Sequence, residues 1–273
     1  MTLLALLPRH WKEYAIEGWA LGCFMLVACG ATALVLHPDS PLAGIIPPVP
    51  VAQRAVLGVW MGLTLIALVY SPWGRISGAH MNPAFTLTFA GLRKIAPRDA
   101  VGYIAAQLIG GIAGVALARL LIGDALRHPR VHFAVTQPGV GGVWPAVGGE
   151  LLISFLQMSL VLRVMASHRW RALTGVFAAL GVAFYITFEA PLSGMSMNPA
   201  RSLGSAVMAQ SWTGIWIYLI APPAGMLLAA AFVFRRAGAS AAACGKMMHA
   251  TPCLFCEHVA TQATPSPPHG NTR

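Results

Sequence analysis

One short polar phrase interrupts the apolar runs of this chain twice, and it constrains the fold more than the runs themselves do. The first copy reads Ser77-Gly78-Ala79-His80-Met81-Asn82-Pro83-Ala84, the second Ser193-Gly194-Met195-Ser196-Met197-Asn198-Pro199-Ala200-Arg201. Asn is a strong helix N-cap, because its side-chain oxygen accepts from the orphan amides of the first turn. Pro suits the first helical position, where no amide partner is needed. Each Asn-Pro-Ala therefore predicts a helix start. The apolar runs that follow, 82–92 and 198–209, would give helices of about 15–18 Å, roughly half of a ~30 Å hydrocarbon core. Two half-length helices at matching places predict a site at the membrane midplane, with both positive N-terminal ends aimed at it.

Composition sets the solvent. The chain is 57% hydrophobic and 10% charged, whereas soluble domains carry about 25% charge; this predicts an integral membrane protein. Six apolar segments stand out, at about 14–36, 52–72, 98–122, 147–166, 172–190 and 213–234. They are too long for barrel strands of ~10 residues with alternating polarity. The first is also too long, and too poorly matched by a cleavage site, for a removable signal peptide. Glu17 in the first span is echoed by Glu150 opening the fourth. The order carboxylate span, plain span, polar break, Gly-bearing span runs twice, over about 12–122 and 146–235. With three spans per half the second copy is inverted, and the two breaks enter from opposite faces. The expected fold is thus an all-α membrane protein of six transmembrane helices plus two half-helices in an inverted repeat, occupying residues 1–236.

The formal net charge of +10 does not require a nucleic-acid partner. Placed on the six-span topology, thirteen of the Lys and Arg residues fall on one face and four on the other, with Arg201 at membrane depth. The positive-inside rule makes the richer face cytoplasmic and puts both termini there. With no eukaryotic targeting signal, the composition leans to the plasma membrane of a bacterium, its inner membrane.

The two Asn-Pro-Ala boxes, 116 residues apart, with Ser-Gly-Ala-His before the first and Arg-Ser after the second, resemble the aquaporin or major intrinsic protein family over about residues 12–235. The resemblance implies a homotetramer with one pore per subunit, passing water down its own gradient and excluding protons and ions, small neutral solutes being a further cargo. It assigns the pore boxes to Asn82, Pro83, Ala84, Asn198, Pro199 and Ala200. Backbone carbonyls of irregular segments can replace lost hydration where they line a cavity; the candidates are Gly78, Ala79, His80, Gly194 and Ser196. Arg201 would be the arginine of the outer constriction, walled by Ile186, Met195 and either Met61 or Gly62, between which the sequence does not choose. Water-selective members carry an aromatic residue and a histidine at the span-two and span-five positions, and Ile186 is neither. Glycerol-conducting members usually have Asp after Asn-Pro-Ala-Arg, where this chain has Ser202. A wider and more apolar constriction is expected. Glu17 and Glu150 are expected to be structural, accepting hydrogen bonds from the backbone of the breaks, since a buried carboxylate needs such donors.

Two other functions stand beside a water channel. One is a facilitator mainly for glycerol, ammonia or another small neutral solute. The other, of a different class, is a membrane metal- or redox-handling protein acting through the tail, 237–273. There Cys253-Leu254-Phe255-Cys256, followed by Glu257-His258 and preceded by His249, has metal-ligand spacing, suited to zinc or another soft metal. An ordinary tail, disordered over its last dozen residues, is the plainer expectation. A reducing cytoplasm disfavours a structural disulfide. No cofactor is expected in the spans, and no Ser/His/Asp, paired-carboxylate or His-Glu motif there suggests an enzyme. The partners expected are the lipid bilayer, water and small neutral solutes.

Overall fold

A computed structural model describes residues 9–237, 244–248 and 253–263. Six helical spans in it are long and apolar enough to cross a membrane, built on α1 (Trp11–Leu36), α2 (Pro50–Tyr70), α5 (Pro97–Ile122), α6 (Val143–Ala166), α7 (Thr174–Phe188, extended to Arg171 by the turn before it) and α10 (Ile215–Ala237). Between α2 and α5 the chain turns back on itself through α3 (Pro72–Ser77) and α4 (Pro83–Gly91). Between α7 and α10 it does so through α8 (Ala190–Ser193) and α9 (Pro199–Ala209). These re-entrant segments are permissible at membrane depth because they are buried in protein and line a cavity.

The packing repeats with the sequence. Helix α1 packs on α5, and its counterpart α6 packs on α10; α4 lies against α5 and α10, and α9 against α10 and α5; α2 and α7 meet across the two halves. Small residues allow these approaches, the usual device where lipid tails offer no hydrophobic drive to helix association. A Cβ on Gly110 would overlap the carbonyl oxygen of Gly18, and one on Gly114 that of Gly22. In the second half, a Cβ on Gly225 would run into the Leu151 carbonyl.

The re-entrant loops share one backbone. Short α3 and α8 end on left-handed glycines, Gly78 at φ 96° and Gly194 at φ 79°. Beyond each, alternate residues take positive φ: Ala79 at 55° and Met81 at 49°, then Met195 at 49° and Met197 at 55°. Such conformations are uncommon outside glycine and persist only where the surroundings over-determine them. Here a buried tyrosine on each side helps. Tyr103 of α5 donates to the Ser77 carbonyl at 2.6 Å, and Tyr218 of α10 to the Ser193 carbonyl at 2.5 Å.

The described part of the tail packs on the channel. It forms a helix, α11 (Leu254–Ala263), tied to the start of α1 by an Arg9–Glu257 ion pair at 3.0 Å. Phe255 of this helix is fully buried against the channel. An apolar ring removed from water at ~25 cal/mol per Å² supplies more than the exposed ion pair can. Residues 264–273, which hold most of the segment expected to be disordered, lie outside the described residues.

Candidate functional site

Both half-helices begin with the same capping arrangement. Asn82 Oδ1 accepts from the Ala84 amide at 2.9 Å; Asn198 Oδ1 accepts from Ala200 at 3.1 Å and Arg201 at 3.2 Å. Each carboxamide nitrogen then reaches across to the other loop. Asn82 Nδ2 donates to the Met197 carbonyl at 2.7 Å, and Asn198 Nδ2 donates to the Met81 carbonyl at 2.7 Å. The two starts therefore meet tip to tip, with Pro83, Ala84, Pro199 and Ala200 buried behind the asparagines. A carboxamide has two N–H donors; one is held by the opposite loop, which leaves one on each asparagine for an oxygen passing beside them.

Each loop is hung on a buried carboxylate. Glu17 Oε1 accepts from the His80 amide at 3.0 Å, and its Oε2 from the Met81 amide at 2.6 Å and Gln107 Nε2 at 2.8 Å. Glu150 Oε1 accepts from the Ser196 amide at 2.6 Å and the Ser193 hydroxyl at 2.9 Å, and its Oε2 from the Met197 amide at 2.8 Å. These amides cannot pair within a helix, because left-handed residues interrupt the chain. The carboxylates take the place of the missing helical carbonyls.

A cavity of about 430 Å³ runs beside both asparagines. At one end it reaches Leu36 and Arg130, at the other Met226 and Met247. Arg201 lines it on the first side, with its Nη1 donating to the Ala134 carbonyl at 2.7 Å. That carbonyl belongs to the connector between α5 and α6, whose residues 132–134 all have positive φ and dip into the mouth. The neighbouring carboxylate Glu189 makes no ion pair with Arg201, whose guanidinium is held by the Ala134 carbonyl instead. Met61, Ile186 and Met195 line the same cavity as Arg201. Gly62 is not part of this wall: it turns to α7, where a Cβ would stand 3.1 Å from the Ala179 carbonyl. Of the backbone candidates, His80, Gly194 and Ser196 line the cavity. Gly78 and Ala79 do not. The Gly78 carbonyl instead accepts from the Met247 amide at 3.4 Å, and Ala79 is packed at 1% exposure.

Two cavity residues were not legible as such. Arg54 counts by sequence among the charges of the outer face, yet α2 begins at Pro50, which brings it to the cavity with Nε donating to the Thr187 carbonyl at 2.9 Å. Met247 comes from the tail, more than 160 residues from the loop it covers.

The thiol cluster also differs from the expected ligand set. Cys253 and Cys256 are joined by Cys244, all three Sγ atoms lying within 4.8 Å of one another. His258 stands apart, its ring hydrogen-bonded to Gln262 at 2.8 Å. His249 lies outside the described residues. Cys244 and Cys253 hydrogen-bond at 3.4 Å, and this bond draws the Cys253 thiol down while it and burial push the Cys244 thiol up.

Six spans, two opposed half-helices and a polar thread past their tips define a transmembrane channel. Known proteins agree with that class. The family model described as major intrinsic protein matches residues 7–234. Aquaporin NIP1-1 of Arabidopsis thaliana is 34% identical over 214 residues, covering 77% of this chain and 69% of its own. Glycerol uptake facilitator protein-like 6 of Lactiplantibacillus plantarum is 33% identical over 222 residues, 80% of this chain and 95% of its own. The fold matches that of the aquaglyceroporin from Plasmodium falciparum with a TM-score of 0.66, at 19% identity, over 83% of this chain and 96% of the other. The chain belongs to the major intrinsic protein family.

Proposed function

We propose that the protein is a passive channel for water and small neutral solutes, glycerol among them, and performs no chemistry on them. The reciprocal pair of bonds, Asn82 to Met197 and Asn198 to Met81, carries this reading. It fixes two amide donors side by side at the crossing of two positive helix ends. A water oxygen that accepts from both has no lone pair left for its neighbours in the file, so its hydrogens point outward in both directions. A hydrogen-bonded wire for protons is thereby broken. The two helix ends and Arg201 disfavour any cation at the same place.

A polyol-like solute as one cargo beside water is supported by one further observation. The cavity wall carries donors at Arg201 and apolar side chains at Met61 and Ile186. That asymmetry suits a solute with hydroxyls along one edge and C–H groups along the other. The names of the glycerol facilitator and aquaglyceroporin relatives support the same cargo. The thirteen-to-four distribution of basic residues supports cytoplasmic termini, and family membership supports a homotetramer in a plasma membrane.

Stopped-flow light scattering on proteoliposomes, under chelator and reductant, tests the reading. A sucrose gradient should shrink them faster than bare vesicles, and a glycerol gradient should give rapid reswelling. A pH-sensitive dye inside should report no added proton flux. Water and glycerol rates both equal to bare lipid would overturn the proposal, and glycerol alone at the lipid rate would leave a water channel.

A further inference from the structure

The tail does not merely rest on the channel; it stands across one mouth. His80, which lines the cavity, is only 3% exposed, with Gly245 and Phe255 of the tail lying on it. Its Nε2 donates to the Gly245 carbonyl at 3.0 Å. The Phe255 ring sits 5.2 Å from the imidazole and 6.1 Å from Tyr103. Met247 both caps the Gly78 carbonyl and forms part of the cavity wall. The approach depends on two glycines, since a Cβ on Gly78 would come within 3.2 Å of the Phe255 ring, and one on Gly245 would enter that ring.

This covering segment is pinned at both ends by the cysteines. Cys244 precedes Gly245 directly, and Cys253 and Cys256 flank Phe255. We propose that Cys244, Cys253 and Cys256 form a three-thiolate site for a soft divalent metal ion, and that its occupancy clamps Gly245, Met247 and Phe255 over the His80 mouth and closes the channel. The proposal rests on the channel reading above. Zinc–thiolate bonds of ~2.3 Å place tetrahedral sulfurs about 3.8 Å apart. The Cys244–Cys253 separation of 3.4 Å is already near that value, and the whole trio lies within 4.8 Å, so shifts of about 1 Å suffice. The surroundings suit anionic sulfur. The Lys246 amide donates to Cys244 Sγ at 3.5 Å, the kind of second-shell bond that orients a ligand. Three thiolates around a divalent ion leave one net negative charge, and Lys246, buried at 3% exposure in the same loop, carries the balancing positive one. With three protein ligands the ion keeps a fourth position for water. Because such a bond set is worth folding energy, metal occupancy and the covering position of the loop are one equilibrium.

The test uses the purified full chain, reduced, and then the same protein in liposomes. Titration with Cd²⁺ should give a thiolate-to-metal charge-transfer band that saturates at one ion per chain, absent from the C244S/C253S/C256S variant. No band, or the same titration in that variant, would overturn the site. With Zn²⁺ on both sides, water permeation should fall roughly fivefold or more and recover with EDTA. Unchanged permeation at full occupancy would overturn the closure. Phe255→Ala keeps all three thiols and removes the wedge. It should bind Cd²⁺ and stay open, and an equal Zn²⁺ block in it would also overturn the closure. If neither the EDTA-treated protein nor Phe255→Ala passes water faster than lipid, the channel reading itself falls, while the Cd²⁺ titration still decides the site.

Discussion

Replacing Glu17 by Gln changes one atom and isolates what the buried carboxylates do. In the parent, Glu17 is fully buried and accepts three bonds, from the His80 and Met81 amides and from Gln107. A glutamine retains one acceptor oxygen. Turned toward Met81 and Gln107, it keeps those two bonds as neutral ones, and its NH₂ then faces the His80 N–H. One buried donor is orphaned, at about 1–3 kcal/mol, and two bonds lose roughly 1 kcal/mol each with the charge. Membrane hydrogen bonds average only about 0.6 kcal/mol, because an unfolded helix in lipid finds other partners. That discount is small here. The donors sit on irregular backbone, with no helical carbonyl to turn to. A net loss on the order of 3 kcal/mol remains, a large share of a stability of about 5–15 kcal/mol. At about 2–4 °C per kcal/mol for a chain of this size, the melting temperature in detergent should fall by about 6–12 °C. Glu150→Gln should do the same, since it too must surrender one loop amide. The fraction eluting as a monodisperse peak after stepwise heating reads this directly. A Glu17→Gln protein that melts with its parent would refute the reasoning, because the loop would then be held by something other than the carboxylate.

Two other substitutions probe the wall and the packing. Ile186→His should narrow the constriction and add a donor opposite Arg201, cutting glycerol reswelling about tenfold or more while water permeation changes little; equal loss of both would remove Ile186 from the selective wall. Gly110→Val should separate α1 from α5, because its Cβ meets the Gly18 carbonyl, at a cost of about 1–3 kcal/mol or more for overpacking. Gly148→Ala, with open space around the added carbon, should melt with the parent in the same assay.

What could be read from the sequence is what depends on local chemistry. The half-helix starts follow from Asn-Pro caps, and the spans from apolar length, so Asn82, Asn198 and the six segments needed no tertiary information. The wall residue of α2 was not legible, because adjacent positions on a helix differ by 100° of rotation. Only the close fit of Gly62 to the Ala179 carbonyl sends Gly62 outward and Met61 inward. Arg54 was hidden for a related reason. Its charge reads as a loop residue until the Pro-started helix turns it toward the Thr187 carbonyl. Tyr103 and Tyr218 look like ordinary aromatic residues of a span; their hydroxyls matter only once the loops are folded beneath them. The tail resisted most. Its Cys-x-x-Cys spacing pointed to a metal, but the group gathered beside that pair is the Cys244 thiol rather than a histidine, and the Phe between the two thiols is buried against His80.

The two halves are similar, yet neither can complete the site alone. Asn82 has its carbonyl partner in the second loop and Asn198 in the first, so a half without its mate leaves an amide donor and a loop carbonyl without their partners. Where such groups are buried from water they cost about 1–3 kcal/mol each. The carboxylates, by contrast, act within their own half: Glu17 holds the first loop and Glu150 the second. Folding therefore has a natural order of dependence. Each carboxylate can shape its loop before the halves meet, and the asparagines can lock only afterwards. That division explains why both boxes need the same residues despite facing opposite membrane leaflets. An Asn82→Asp change in one box removes a donor and also sets a carboxylate oxygen against the Met197 carbonyl of the other half. The damage is shared by both loops, and a compensating change confined to the first loop cannot repair it.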